Sequence, residues 1–234
     1  MFWNKRKYKL LLFDLDHTLW DFETNSHNAI YDIFTELKLN EKISDFDLFY
    51  KTYEEHNHRL WAEYEAGNLK KEQLRTLRFH LTLKDFGINN SDMANYFGET
   101  YITLSPKKTA LFADVKETLD YLQTKYEMAI ITNGFPEVQH IKIASCGLDN
   151  YFKRLFISEQ IGYPKPRPEI FHAAVTAFNM KKKSCLMIGD NWDSDIEGAK
   201  NYGIDQVYFN PKKNSVEGKP TYEIATIKEL LSFL

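Results

Sequence analysis

The feature that most constrains this chain is a short apolar run, Tyr8 to Phe13, that ends on Asp14-Leu15-Asp16-His17-Thr18. Leucines and a phenylalanine over so few residues, without a helical period, predict a strand buried on both faces. Burial on both faces requires helices on either side of a sheet, so the run points to an α/β layer structure. It also places two carboxylates at the carboxyl edge of that strand, where open parallel sheets bind ligands.

Two rhythms follow. From Asp21 to about Ser105 the apolar spacing is helical, with Ile30, Ile33, Phe34 and Leu37, then Leu69, Leu74, Leu77, Leu81 and Leu83. Strand signals are nearly absent there, and Phe46 to Tyr64, aromatic and charged, reads as a helical lid. After Pro106 strands alternate with helices. Strands are expected at Met128 to Ile131, Arg154 to Ile157, Ser184 to Ile188 and Gln206 to Phe209. Helices are expected at Asp114 to Lys125, Pro136 to Ser145, Pro168 to Phe178, Asp193 to Tyr202 and Ile227 to Leu234, with a polar loop at Asn210 to Pro220. The expected architecture is a doubly wound, Rossmann-like parallel sheet formed by 1–20 and 106–234, with an α-helical cap inserted at 21–105. A chain of 234 residues can bury such a core without disulfides.

Composition excludes several classes. A net charge of −3 does not supply the concentrated basic surface that polymeric nucleic acid needs, although a single nucleotide remains an acceptable ligand. Met1 to Phe13 has the basic start of a leader, but Asp14 and Asp16 end its apolar run too early. No segment approaches the roughly 20 apolar residues that span a bilayer. Cys146 and Cys185 fit no closely spaced metal motif and read as buried thiols. A soluble, cytoplasmic protein is expected. Nothing in the sequence sets its oligomeric state.

The polar residues that matter collect after four strands: Asp14 to Thr18, then Thr132-Asn133-Gly134, then Lys165-Pro166, then Gly189-Asp190 through Asp195. Each alone is an ordinary turn or cap signal, and Asp193 is a helix N-cap candidate. Together they describe a reaction. Asp14 can attack phosphorus as a carboxylate, which needs no deprotonation near neutral pH. Asp16 can protonate the leaving oxygen and later take a proton from water. Asp14, the Asp16 carbonyl and Asp190 make an oxygen cage suited to Mg2+, with Asp195 binding directly or orienting water. Thr132, Asn133 and Lys165 would surround the transferring phosphoryl oxygens, Gly134 would let the backbone approach, and Thr18 could hold the turn. Trp20 and Phe22, next to the nucleophile, are candidates for stacking on a substrate ring. Trp61, Tyr53 and Tyr64 read as cap core, and His56 and His58 as solvated.

These four segments resemble, in order, the four motifs of the haloacid dehalogenase superfamily: Asp14-Leu15-Asp16-His17-Thr18, Thr132, Lys165, and Gly189 through Asp195. The resemblance covers nearly the whole chain and implies the same core with its inserted cap. Asp16 and Asp190 favour phosphate chemistry over carbon–halogen hydrolysis. The Leu19-Trp20-Asp21-Phe22 continuation and full-size cap look most like bacterial house-cleaning pyrimidine 5'-nucleotidases. That likeness implies a phosphomonoesterase working through an aspartyl-phosphate on a nucleoside monophosphate, with the cap choosing the leaving group. Departures are His17, where Asp or Gly is common, and Arg167, where a smaller or acidic residue is common. A sugar-phosphate or phosphoglycolate phosphatase, a phosphomutase, and a non-catalytic phosphate-binding regulator remain as alternatives.

Overall fold

Leu10, Leu11, Leu12 and Phe13 are fully buried because each face of their strand is covered. Leu11 and Phe13 join one apolar layer with Val115, Leu119, Leu122 and Leu230, while Leu10 and Leu12 join another with Ile170, Phe171 and Ala199. This is the period-two signature of a strand between two helical layers. In the computed structural model, which describes residues 7–234, the strands are β1 (Leu10–Phe13), β2 (Glu127–Thr132), β3 (Arg154–Ile157), β4 (Cys185–Gly189), β5 (Asp205–Phe209) and β6 (Tyr222–Ile224). They form one six-stranded sheet in the order β3-β2-β1-β4-β5-β6. Every pairing is parallel. Residues 1–6, part of the segment weighed above as a leader, lie outside this description.

The helices are α1 (Phe22–Glu36), α2 (Phe46–Glu65), α3 (Lys71–Asp85), α4 (Ser91–Leu104), α5 (Val115–Gln123), α6 (Pro136–Ser145), α7 (Ser158–Ile161), α8 (Pro168–Ala177) and α9 (Gly198–Tyr202). The chain divides into two compact units, Met1–Phe22 with Thr109–Leu234, and Glu23–Lys108. The second has its own aromatic core, in which Phe79 stacks on Phe97 at 4.6 Å and on Tyr53 at 5.2 Å. The first unit closes on itself where the chain leaves and returns: Phe112 N donates to Leu19 O and Asp21 N to Ala110 O, both at 3.1 Å.

Four local expectations need correction. β6 adds an edge strand just past the polar loop; with three residues it is too short to show alternation. Asp193 to Tyr202 is not one helix but a π-helical turn, Trp192–Glu197, followed by α9, and its cap is Asn191, whose Oδ1 accepts from Ser194 N at 2.9 Å. The final helix is 3₁₀ over Ile227–Ser232. His56 is not simply solvated, since its Nε2 sits 2.7 Å from Asp85 Oδ2. Among the described residues no helix is long and apolar enough to cross a membrane.

Candidate active site

Asp14 follows β1 directly, and its amide donates to Ile188 O of β4 at 2.9 Å. From β1 the chain continues to β2 on one side while β4 lies on the other. The carboxyl ends of β1 and β4 therefore flank the switch point where a doubly wound sheet opens a crevice. Asp190, one residue beyond β4, enters it from the neighbouring edge, and Thr18 Oγ1 donates to Asp190 Oδ1 at 3.1 Å rather than to the turn it follows.

Carboxylate oxygens of Asp14, Asp190 and Asp195 lie within 4.8 Å of one another. Lys165 stands among them, its ammonium 2.5 Å from Asp14 Oδ1, 2.7 Å from Asp195 Oδ1 and 3.0 Å from Ile131 O. Asn133 fixes the lysine backbone from both sides, Oδ1 accepting from Lys165 N at 2.8 Å and Nδ2 donating to Lys165 O at 3.0 Å. The π-helical turn folds Asp195 back, so that its Oδ2 accepts from Asn191 N at 3.2 Å and the residue is fully buried.

Electrostatics follow from crowding. Burial raises the Asp14 carboxyl to about 7 against the pull of Lys165, with the charges of Asp195 and Asp16 adding to the rise. Burial, then Asp14 and Asp195, push Asp190 well above the carboxylate range. Burial opposes the charge on Lys165, but Asp14 and Asp195 outweigh it and keep the ammonium protonated.

Thr132 Oγ1 accepts from Gly134 N at 3.0 Å and from Gln139 Nε2 at 2.7 Å. Two accepted bonds fill the hydroxyl lone pairs and leave its O–H to donate. Gly134 is needed for a reason other than backbone approach: a Cβ there would collide with the Gln139 side chain. Asp16 is held by two residues of α6 that the sequence reading missed, Gln139 and Lys142. Gln139 Nε2 donates to Asp16 Oδ2 at 2.7 Å, and Lys142 Nζ pairs with Asp16 Oδ1. Burial alone would raise the Asp16 carboxyl; Lys142 and Gln139 outweigh it and hold the group low. Their signal in the sequence was two polar residues on the buried stripe of α6, beside Ile143.

His17 takes a left-handed backbone, φ 61°, where the chain turns after Asp16, and its ring stacks on Phe22 at 4.6 Å. Trp20 is fully buried, with the Lys142 ammonium 4.0 Å from its ring centroid. Phe22 packs edge-on to Trp20 at 5.8 Å. Arg167 turns to Glu169 at 3.0 Å on the surface.

The donor set suits a hard divalent cation. Asp14, Asp190 and Asp195 offer oxygen only, and Lys165 is the single ammonium that balances them, so three carboxylates outnumber one cation. Lys165 pairs directly with Asp14 and Asp195, so Asp190, whose partner is the Thr18 hydroxyl, is the least compensated of the three.

The sequence profile describing haloacid dehalogenase-like hydrolases matches residues 8–203, from the first strand through the π-helical turn and α9. The chain belongs to that family. Pyrimidine 5'-nucleotidase PynA of Streptococcus pneumoniae is 32% identical over 232 residues, covering 97% of this chain and 95% of PynA. Pyrimidine 5'-nucleotidase YjjG of Escherichia coli is 28% identical over 231 residues, covering 97% and 98%. The crystal structure of the putative HAD-hydrolase YfnB from Bacillus subtilis, bound to magnesium, superposes with a TM-score of 0.87 at 28% identity, covering 97% of this chain and 98% of YfnB. This member of the family is a phosphatase, and its six-stranded core is the Rossmann-like sheet expected from the sequence.

Proposed function

We propose that this phosphatase is a magnesium-dependent 5'-nucleotidase that hydrolyses pyrimidine nucleoside monophosphates through a phosphate ester on Asp14, with Glu23–Lys108 as its cap domain. The observation that carries the reading is the arrangement of buried Asp14, Lys165 and Asp195 with half-buried Asp190 at the β1/β4 switch point. Similarity to two pyrimidine 5'-nucleotidases over nearly the full chain supports the substrate class. Its two thiols, Cys146 and Cys185, are free and buried, which fits work in the cytoplasm.

In this reading Asp14, oriented by the β4 pairing and the Lys165 ammonium, supplies the attacking oxygen. Lys165 and the free O–H of Thr132 donate to phosphoryl oxygens as charge spreads over them, and Asn133 keeps Lys165 in place. Asp16, which accepts from Lys142 and Gln139 as a carboxylate, takes a proton from the water that follows, and gives one to the leaving oxygen only once it has itself been protonated. Asp14, Asp190 and the Asp16 carbonyl would hold Mg2+, with Asp195 beside them; when bound, the ion supplies charge neutralisation and orientation of the phosphoryl group.

The test is direct. Asp14→Asn should fold normally and lose at least about 10³-fold of its turnover of p-nitrophenyl phosphate. Appreciable activity in that variant removes Asp14 as the nucleophile, and full activity of the native protein in excess chelator removes the metal. A screen of nucleoside monophosphates, sugar phosphates and phosphoglycolate should give the highest kcat/KM with a pyrimidine nucleotide. Preference for a sugar phosphate overturns the nucleotidase assignment alone.

A further inference from the structure

Gln139 and Lys142 stand at i and i+3 on α6 and, with Ile143, make up its buried face. A glutamine and a lysine on a stripe that ordinarily carries apolar residues are costly to desolvate unless they are hydrogen-bonded. Both direct their donors at one carboxylate. Gln139 Nε2 lies 2.7 Å from Asp16 Oδ2 and also 2.7 Å from Thr132 Oγ1. Lys142 Nζ pairs with Asp16 Oδ1, and among the described residues it has no other carboxylate partner. The ammonium also lies over aromatic faces, Trp20 at 4.0 Å and Phe22 at 5.6 Å to the ring centroids.

Both oxygens of Asp16 are therefore fixed by one rigid element. A carboxylate aimed this way cannot rotate freely, and the element that aims it begins right after the strand end bearing Thr132. We infer that Lys142, assisted by Gln139, is the positioning residue for the Asp16 carboxylate, and that its effect falls on breakdown of the phospho-enzyme rather than on its formation. This rests on the covalent reading above.

The two half-reactions use Asp16 differently. In the first, an Asp14 oxygen bonds to phosphorus, the bond from phosphorus to the leaving oxygen breaks, and that oxygen takes a proton from Asp16 only if it needs one. In the second, a water oxygen bonds to phosphorus, Asp16 accepts the water proton, and the bond between phosphorus and the Asp14 oxygen breaks, giving inorganic phosphate and the free carboxylate. With p-nitrophenyl phosphate the leaving group departs as a stable phenolate. Asp16 is then needed in the second half alone, and a misaimed carboxylate slows only that half.

Rapid mixing of the full-length Lys142→Met variant with p-nitrophenyl phosphate and Mg2+ tests this. We expect a burst of about one p-nitrophenolate per chain, then a steady-state kcat about 10- to 100-fold below wild type. KM should fall with kcat, leaving kcat/KM within about threefold of wild type, because that ratio reports formation of the intermediate. Acid-quenched protein should carry phosphate, read by intact mass, and Lys142→Arg should recover much of kcat. Gln139→Leu, which leaves the lysine in place, should show the same pattern more weakly. A merely structural role would reduce burst and steady state alike. Loss of kcat/KM equal to the loss of kcat, without a burst, overturns the inference, as does wild-type kcat in Lys142→Met. Wild-type turnover in Asp14→Asn would instead remove the covalent reading on which it rests.

Discussion

Gly189, like Gly134, is set by a neighbouring side chain and not by its backbone torsion, since a Cβ on Gly189 would run into the Asp195 carboxylate. Asp195 has no room to withdraw, because it is fully buried and tied to Lys165 and to Asn191 N. Gly189→Ala should therefore lower stability by about 1–3 kcal/mol, the usual range for overpacking. Urea unfolding checks it; an unchanged midpoint would mean that Asp195 yields freely. Asp205 gives a pH-dependent case away from the site. Burial would raise its carboxyl, but hydrogen bonds from Lys7 and Tyr8 outweigh that and hold it below its usual value. A depressed folded-state carboxyl stabilises the protein above the unfolded value, near 4, and that contribution disappears as pH falls through the folded one. Wild type should exceed Asp205→Asn in melting temperature at pH 6, and the gap should narrow on acidification; a gap unchanged through the acid range would contradict the assignment.

At the scale of elements, β1 and β4 and the two helical layers on them set where the chemistry stands. Phe171 of α8 is fully buried in the layer with Leu10 and Leu12, 6.0 Å from the Tyr202 ring. Phe171→Ala should cost about 3–5 kcal/mol, read as a shift of the denaturant midpoint, and a shift under about 1 kcal/mol would show that the layer collapses onto the space. The sheet was legible because its buried strands are short apolar runs ending in polar residues, and α6 and β3 were read to the residue. β6 escaped because three residues cannot display a period. The π-helical turn escaped because the drawing-in of Asp195 depends on Lys165, thirty residues earlier in the chain. Lys142 and Gln139 escaped for a related reason: a polar residue on a helix reveals its partner only once β1 and β2 pair and bring Asp16 beside α6. Thr18, read as a turn holder, binds Asp190 instead, a contact made across the sheet.

At the scale of the whole molecule, the aromatic core of Glu23–Lys108 shares no residue with the two layers that sandwich the sheet. A defect in one is therefore not automatically a defect in the other. Phe79→Ala removes a fully buried ring from the helical unit, and calorimetry should then show a van't Hoff enthalpy well below the calorimetric one, the mark of units melting apart. Equal enthalpies would show that the two still unfold as one. The paired backbone at Leu19 with Phe112 and at Asp21 with Ala110 bears on what this architecture permits. The chain departs for the helical unit and comes back through a doorway one hydrogen bond wide, with the sheet already complete on the near side of it. Whatever is spliced in beyond that doorway need only bring its two ends together, so the helical unit has the connectivity of an exchangeable cassette, and a lineage could rewrite residues 23–108 while keeping the strands and loops that surround Asp14.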